Sequence, residues 1–210
     1  MRNIPLAIAA VLSLIVFSCK KDAETPVPVT KADYYQLKVG NYWIYEGYMV
    51  DTNGVATPTG VFDSAYIEKD TLINGISFFK LLERPYVVFP WQYATYLRDS
   101  SGYLVNSDGN ILASDNNFTD TLAVDTGNPE LYTGYQKMTG KDSLVTVPAG
   151  TFQSVTSRRQ IVPVPPNPGN IPVRYLYDVF GKGVGKMKTY TFFFSGGIGF
   201  QAQLVRYKVN

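Results

Sequence analysis

From Tyr34 to the C-terminus, no stretch keeps apolar residues at a 3.6-residue period for three turns. Short aromatic and β-branched runs take that place, broken every few residues by Gly, Asn, Asp and Pro. A surface helix needs the missing period to bury one face, whereas short runs bounded by turn residues read as strands. The first such run is Asn41–Val50, with the turn Asp51-Thr52-Asn53-Gly54 after it. Gly60–Glu68, Ser77–Leu82, Tyr86–Phe89, Tyr93–Arg98, Tyr103–Val105 and Ile111–Ala113 follow, several flanked by Asn-Gly or Asp-Gly, the strongest short hairpin signals. The second half offers Leu131–Met138, Ser143–Val147, Phe152–Val162, Val173–Phe180, Val184–Phe194 and Phe200–Val209. The expected fold is mainly β: an antiparallel meander forming an open or half barrel or a sandwich, with few or no helices.

Several runs are apolar on both faces. Tyr42, Ile44 and Tyr48 alternate with Trp43, Tyr45 and Met49, where a sheet with one wet face would show polar residues. Either both faces are covered, or one face lines a cavity. The segment Pro163–Pro172 has five prolines in ten residues and reads as a stiff loop between two long strands, a surface excursion or a flap over a cavity mouth.

Composition removes most chemistries. The 210 residues include no His and one Cys, which excludes His-dependent catalysis, His/Cys zinc sites and an internal disulfide. A net charge of +2 is too balanced for a nucleic-acid footprint. The acids Glu46, Asp63, Glu68, Glu83 and Glu130 are scattered singly, and no Gly-x-Ser-x-Gly elbow occurs. The turns Asp51–Gly54 and Asn106–Asn110 lack the acid that completes an EF-hand loop, so turn chemistry accounts for them without metal. Gly181–Lys186 has the wrong spacing for a phosphate loop and no helix after it. No catalytic residue, metal ligand or cofactor is expected, and the chain reads as a non-enzyme.

At the N-terminus, Arg2 precedes an apolar run from Ile4 to Phe17 that is shorter than the roughly 20 residues of a spanning helix. It ends in Val16-Phe17-Ser18-Cys19, followed by Lys20-Lys21-Asp22. This resembles a bacterial lipobox, which implies a signal peptide over 1–18 and lipid attachment at Cys19. Residues 19–33 then form the lipidated Cys and a flexible tether, 34–210 a single β domain. Extended, the tether reaches on the order of 40 Å. The charged residues after Cys19 resemble those of Bacteroidetes lipoproteins, implying an outer-membrane anchor on the periplasmic or cell-surface face. Asp63-Ser64-Ala65, Asp70-Thr71-Leu72, Asp120-Thr121-Leu122 and Asp142-Ser143-Leu144 resemble the O-glycosylation signal of that group's envelope proteins, making Ser64, Thr71, Thr121 and Ser143 candidate acceptors.

Three patches, Leu37–Trp43, Val147–Phe152 and Gly183–Lys188, together resemble uncharacterised bacterial envelope lipoproteins that carry a domain of unknown function. Such domains are similar to the open, curved sheets of lipoprotein carriers of the LolA and LppX type, which implies a concave cavity for acyl chains. The expected function is therefore a lipid-anchored, non-catalytic envelope protein that binds an apolar or amphiphilic ligand. The alternatives are a structural envelope component, or a surface module that binds glycan or protein through exposed aromatics. Trp91, Tyr93 and Tyr96 are the candidate surface for the latter, Trp91 and Tyr93 being two apart on one strand face. The expected partners are the membrane, through the acyl chains, and a lipid or glycan ligand, with no nucleic acid.

Overall fold

The computed structural model describes residues 33–84, 92–126, 130–167, 169–193 and 196–210. The chain divides into Met1–Lys31, which lies outside the described residues together with Cys19, and a compact unit Ala32–Asn210. Among the described residues there is no helix. Twelve strands follow in order: β1 (Tyr42–Val50), β2 (Ala56–Ile73), β3 (Ile76–Arg84), β4 (Tyr93–Ser100), β5 (Tyr103–Asn106) and β6 (Ile111–Ser114), then β7 (Ala123–Asp125), β8 (Tyr132–Val147), β9 (Gly150–Pro163), β10 (Arg174–Gly181), β11 (Gly185–Phe192) and β12 (Gly199–Lys208).

All twelve belong to one antiparallel sheet, ordered β6-β5-β4-β3-β2-β1-β12-β11-β10-β9-β8-β7. The chain meanders outward from β1 to one edge, crosses to the other edge, and meanders back until β12 pairs with β1, Tyr42 opposite Lys208. The crossing from β6 to β7 uses only the eight residues 115–122, which span at most about 30 Å. The edges of a flat twelve-stranded sheet would lie roughly 50 Å apart. The sheet must therefore curl on itself, and it forms a nearly closed barrel rather than a sandwich. Its one unsealed seam lies between β6 and the β7–β9 side. There Gln136 of β8 and Ser157 of β9 both donate side-chain hydrogen bonds to the Leu112 carbonyl on β6, giving that edge acceptor partners without a strand.

The strands differ from the sequence expectation mainly in length. β2 runs on to the Asn74-Gly75 turn, where both residues have positive φ. The two runs expected at 131–138 and 143–147 are one strand, β8, kinked by a register shift between Thr139 and Ser143 in which Asp142 takes φ 55°. The short β7 gave no sequence signal, and the expected strand Tyr86–Phe89 lies outside the described residues.

The core fills the inside of the curl. Ile67, Leu97, Leu104, Val155, Phe200 and Leu204 are buried there. One region is filled by the segment leading into β1: Tyr34 and Tyr35 are buried, the Tyr35 ring meets Phe180 edge-on at 5.5 Å, and its hydroxyl donates to the Gly102 carbonyl at 3.2 Å. Asn41, fully buried, donates to the Gln36 carbonyl at 2.8 Å and accepts from the Asn210 backbone N–H at 2.9 Å, tying the last residue to the start of β1. The LolA-type resemblance implies a half-barrel; this sheet curls further, and an irregular segment carrying two tyrosines packs into its interior.

Candidate ligand cavity

Two of the three sequence patches meet inside the barrel. Trp43 of Leu37–Trp43 donates its indole N–H to the Val184 carbonyl at 2.6 Å, and its ring lies over Gly185 of Gly183–Lys188. Gly185 has φ 95°, and a Cβ there would stand 3.0 Å from the indole, so the glycine permits both the backbone turn and the ring above it. Two residues on, the Tyr45 hydroxyl donates to the Lys186 carbonyl at 2.8 Å. Burial raises the Tyr45 pKa, keeping this donor protonated.

Beside these residues the core leaves a cavity of about 350 Å³, within the size range of small-molecule sites. Trp43, Ile67, Leu81, Leu97, Leu104 and Leu112 form an apolar wall contributed by six strands of the first half. Charged side chains complete the lining. Lys186 of β11 reaches Glu83 of β3 at 2.8 Å, across 103 residues of sequence. Tyr93, paired opposite Glu83 in the β3–β4 register, hydrogen-bonds the same carboxylate. Asp178 of β10 adds a second negative charge near Lys186 and accepts a hydrogen bond from Thr189 at 2.7 Å. Arg159 of β9 borders the cavity and pairs with Asp125 of β7.

The ionisation states follow from these neighbours. Burial pushes the Glu83 carboxyl up, but the Lys186 ammonium and the hydrogen bonds from Lys186 and Tyr93 outweigh it, leaving Glu83 below the usual carboxylate range. Burial likewise opposes the Lys186 charge, and Glu83 with Asp178 overrides it, holding the ammonium well above its usual value. Burial first, then the charge of Glu83, pushes the Tyr93 hydroxyl up to about 12. The cavity thus presents an ammonium and two carboxyl side chains within an otherwise largely apolar lining, with the exposed Tyr93 outside it against Glu83. A two-carboxyl hydrolase would need one carboxyl held protonated at neutral pH. Glu83, salt-bridged and ionised, cannot be that acid.

The sequence-selected residues are dispersed by the fold. Tyr93 lies on the Glu83 side of β4, whereas Tyr96, three residues on, is paired opposite Lys80 on the other face, so the two do not make one stacking surface. Trp91 lies outside the described residues. Trp43 is buried and forms cavity wall. Thr121 and Ser143 are exposed; Ser64 and Thr71, both on β2, are half-buried. Asp51 accepts the Asn53 and Val55 backbone N–H groups, and Asn106 accepts those of Asp108 and Asn110, so both turns spend their side chains on their own backbone. Among the described residues no three potential metal ligands cluster. The described residues of the proline-rich segment do not line the cavity. Among the charged residues of the cavity, Lys186 lay in the Gly183–Lys188 patch but with no binding role read for it, and Glu83, Asp178 and Arg159 carried no motif; only the paired strands bring them together.

No family model and no curated protein matches the sequence. Two solved structures match this chain. One is a protein from Bacteroides fragilis assigned as exported and as having a YmcC-like fold. It is 12% identical, with a TM-score of 0.53, and the match covers 84% of this chain and 99% of the other. The second, from Parabacteroides distasonis and assigned as a lipoprotein, is also 12% identical over 84% of this chain and 99% of its own, with a TM-score of 0.40. The first likeness places this chain in the YmcC-like fold.

Proposed function

We propose that this is a non-catalytic protein of the bacterial cell envelope, held to the outer membrane by lipid on Cys19, whose barrel binds one small amphiphile. The observation that carries the binding reading is the cavity itself: an apolar lining of Trp43 and leucines that also holds the Glu83–Lys186 ion pair. An acyl chain gains from leaving water against the apolar wall, by about 25 cal/mol per Å² buried. A polar head group finds donors and acceptors already fixed in the same lining. The location is supported by the lipobox-like Ser18-Cys19 and by a fold shared with a protein assigned as exported.

The test uses the unit Ala32–Asn210, which contains the whole hydrophobic core, secreted to a periplasm and purified without detergent. Native mass spectrometry should show an added mass that dissociates as a lipid. A fluorescent fatty acid should bind, and Leu97→Trp, which fills the cavity, should weaken it at least about tenfold. A bare polypeptide mass together with no fatty-acid binding would sink the proposal.

A further inference from the structure

The alternation that sends Asp178 and Thr189 inward sends their neighbours to the other face of the sheet. There Tyr177 of β10 lies directly opposite Tyr190 of β11, with ring centroids 6.1 Å apart, and Tyr175 stacks on Tyr177 at 6.4 Å and 28°. The three rings form a continuous, partly exposed strip, joined by Phe192 along a groove of about 670 Å³. Tyr177 and Tyr190 stand between the two spaces and border both. Guanidinium groups are laid on this strip: Arg158 over the Tyr175 ring at 5.2 Å and Arg174 over the Phe192 ring at 5.6 Å. Lys188 completes the groove, and burial lowers its pKa, so its ammonium is short of hydrating water. Among the described residues no acid lines the groove. Glu46 is on the same face but one strand further, across Gln203 from Lys188, and it accepts from the Tyr48 hydroxyl. The amides of Gln160, opposite Tyr175, and Gln201, opposite Tyr190, flank the rings.

We propose that this outer face of β10 and β11 is a second binding site, for an acidic glycan. Sugar rings stack on Tyr175, Tyr177 and Tyr190, and sugar carboxylates pair with Arg158, Arg174 and Lys188. The tyrosine faces suit the C–H faces of pyranose rings, and the flanking amides and phenol hydroxyls suit a hydroxyl-rich polymer. Cations without acids beside them select a charged glycan over a neutral one. A net charge of +2 over the whole chain does not suit a polyphosphate.

The full chain, in a zwitterionic detergent without a sugar head group, is titrated calorimetrically with hexasaccharides of polygalacturonate, alginate and hyaluronate. Maltohexaose and a thymidine oligonucleotide serve as the neutral and phosphate counterparts. At least one acidic hexasaccharide should bind with a Kd below about 1 mM, and maltohexaose at least about tenfold more weakly. Tyr177→Ala and Arg158→Gln should each weaken that binding by about 3- to 10-fold, with an unchanged circular dichroism spectrum showing that each variant folds. Leu97→Trp, in the inner cavity, should leave it unchanged, so failure here and failure of the amphiphile proposal are separable. No binding by any acidic hexasaccharide, equal binding of maltohexaose, tighter binding of the oligonucleotide, or indifference to both outer substitutions would overturn the assignment.

Discussion

β10 and β11 carry different chemistry on their two faces. Inward they present Asp178, Thr189 and, because a bulge at Met187 reverses the alternation, Lys186, groups whose partners are fixed at 2.7–2.8 Å inside the barrel. Outward they present Tyr175, Tyr177, Tyr190 and Lys188, whose rings touch mainly one another. The difference shows that the charge on a lysine matters less than the environment its strand position gives it. Lys186 is an ammonium that the fold must pair; Lys188 is one that the fold leaves to a ligand.

Replacing each of these lysines breaks that contrast most directly. Lys186→Met leaves Glu83 buried without its ammonium and should cost about 3 kcal/mol in urea unfolding. The same pair fixes a pH dependence. Glu83 is depressed in the folded state, so its contribution is present above the unfolded value near ~4.3 and is lost as pH falls through the folded value. Lys186 is raised, so its contribution is full below ~10.4 and is lost as pH rises through the folded value. Urea midpoints measured from neutral pH down to strong acid should fall below about pH 4.3, and Glu83→Gln should remove part of that fall. An identical acid limb in Glu83→Gln would show that the pair does not titrate as described.

Gly185→Ala tests the positive-φ glycine under Trp43 and should cost about 2 kcal/mol. Thermal unfolding reads it, and an unchanged midpoint would mean that the Trp43 ring moves freely. Tyr93→Phe removes one hydrogen bond to the Glu83 carboxylate and should cost about 1 kcal/mol. At the outer end of the series, Lys188→Met should stay within about 0.5 kcal/mol of the parent. A larger loss in urea unfolding would place Lys188 in the framework rather than in a binding face.

The strands were legible because their turns were. Asn74-Gly75 ends β2, and Ser107-Asp108-Gly109 separates β5 from β6, through local backbone preferences that need no knowledge of the rest of the chain. The two-faced apolar pattern of Tyr42–Met49 left a choice between covered faces and a cavity. The structure settles it by placing Trp43 and Tyr45 in the cavity wall. The polar side of that cavity was not legible. Glu83 and Lys186 are 103 residues apart and look like ordinary strand charges until β3 and β11 face each other across the interior. Tyr34 and Tyr35, read as the start of a domain after a tether, fill part of the barrel, an outcome set by where the curl leaves room. The outer tyrosine strip was not singled out from the sequence either: Tyr190 joins Tyr175 and Tyr177 only through the β10–β11 register.

The pairing of β1 with β12 also has a mechanical consequence. Whatever precedes Asp33 enters the sheet at β1, a strand in its middle, hydrogen-bonded to β2 on one side and β12 on the other. A pull on the N-terminus would therefore load two ladders at once in shear, with the Asn41–Asn210 bonds beside them. The weak edges, β6 and β7, carry neither chain end. A force transmitted along the chain from outside the barrel reaches two central ladders first and the seam last.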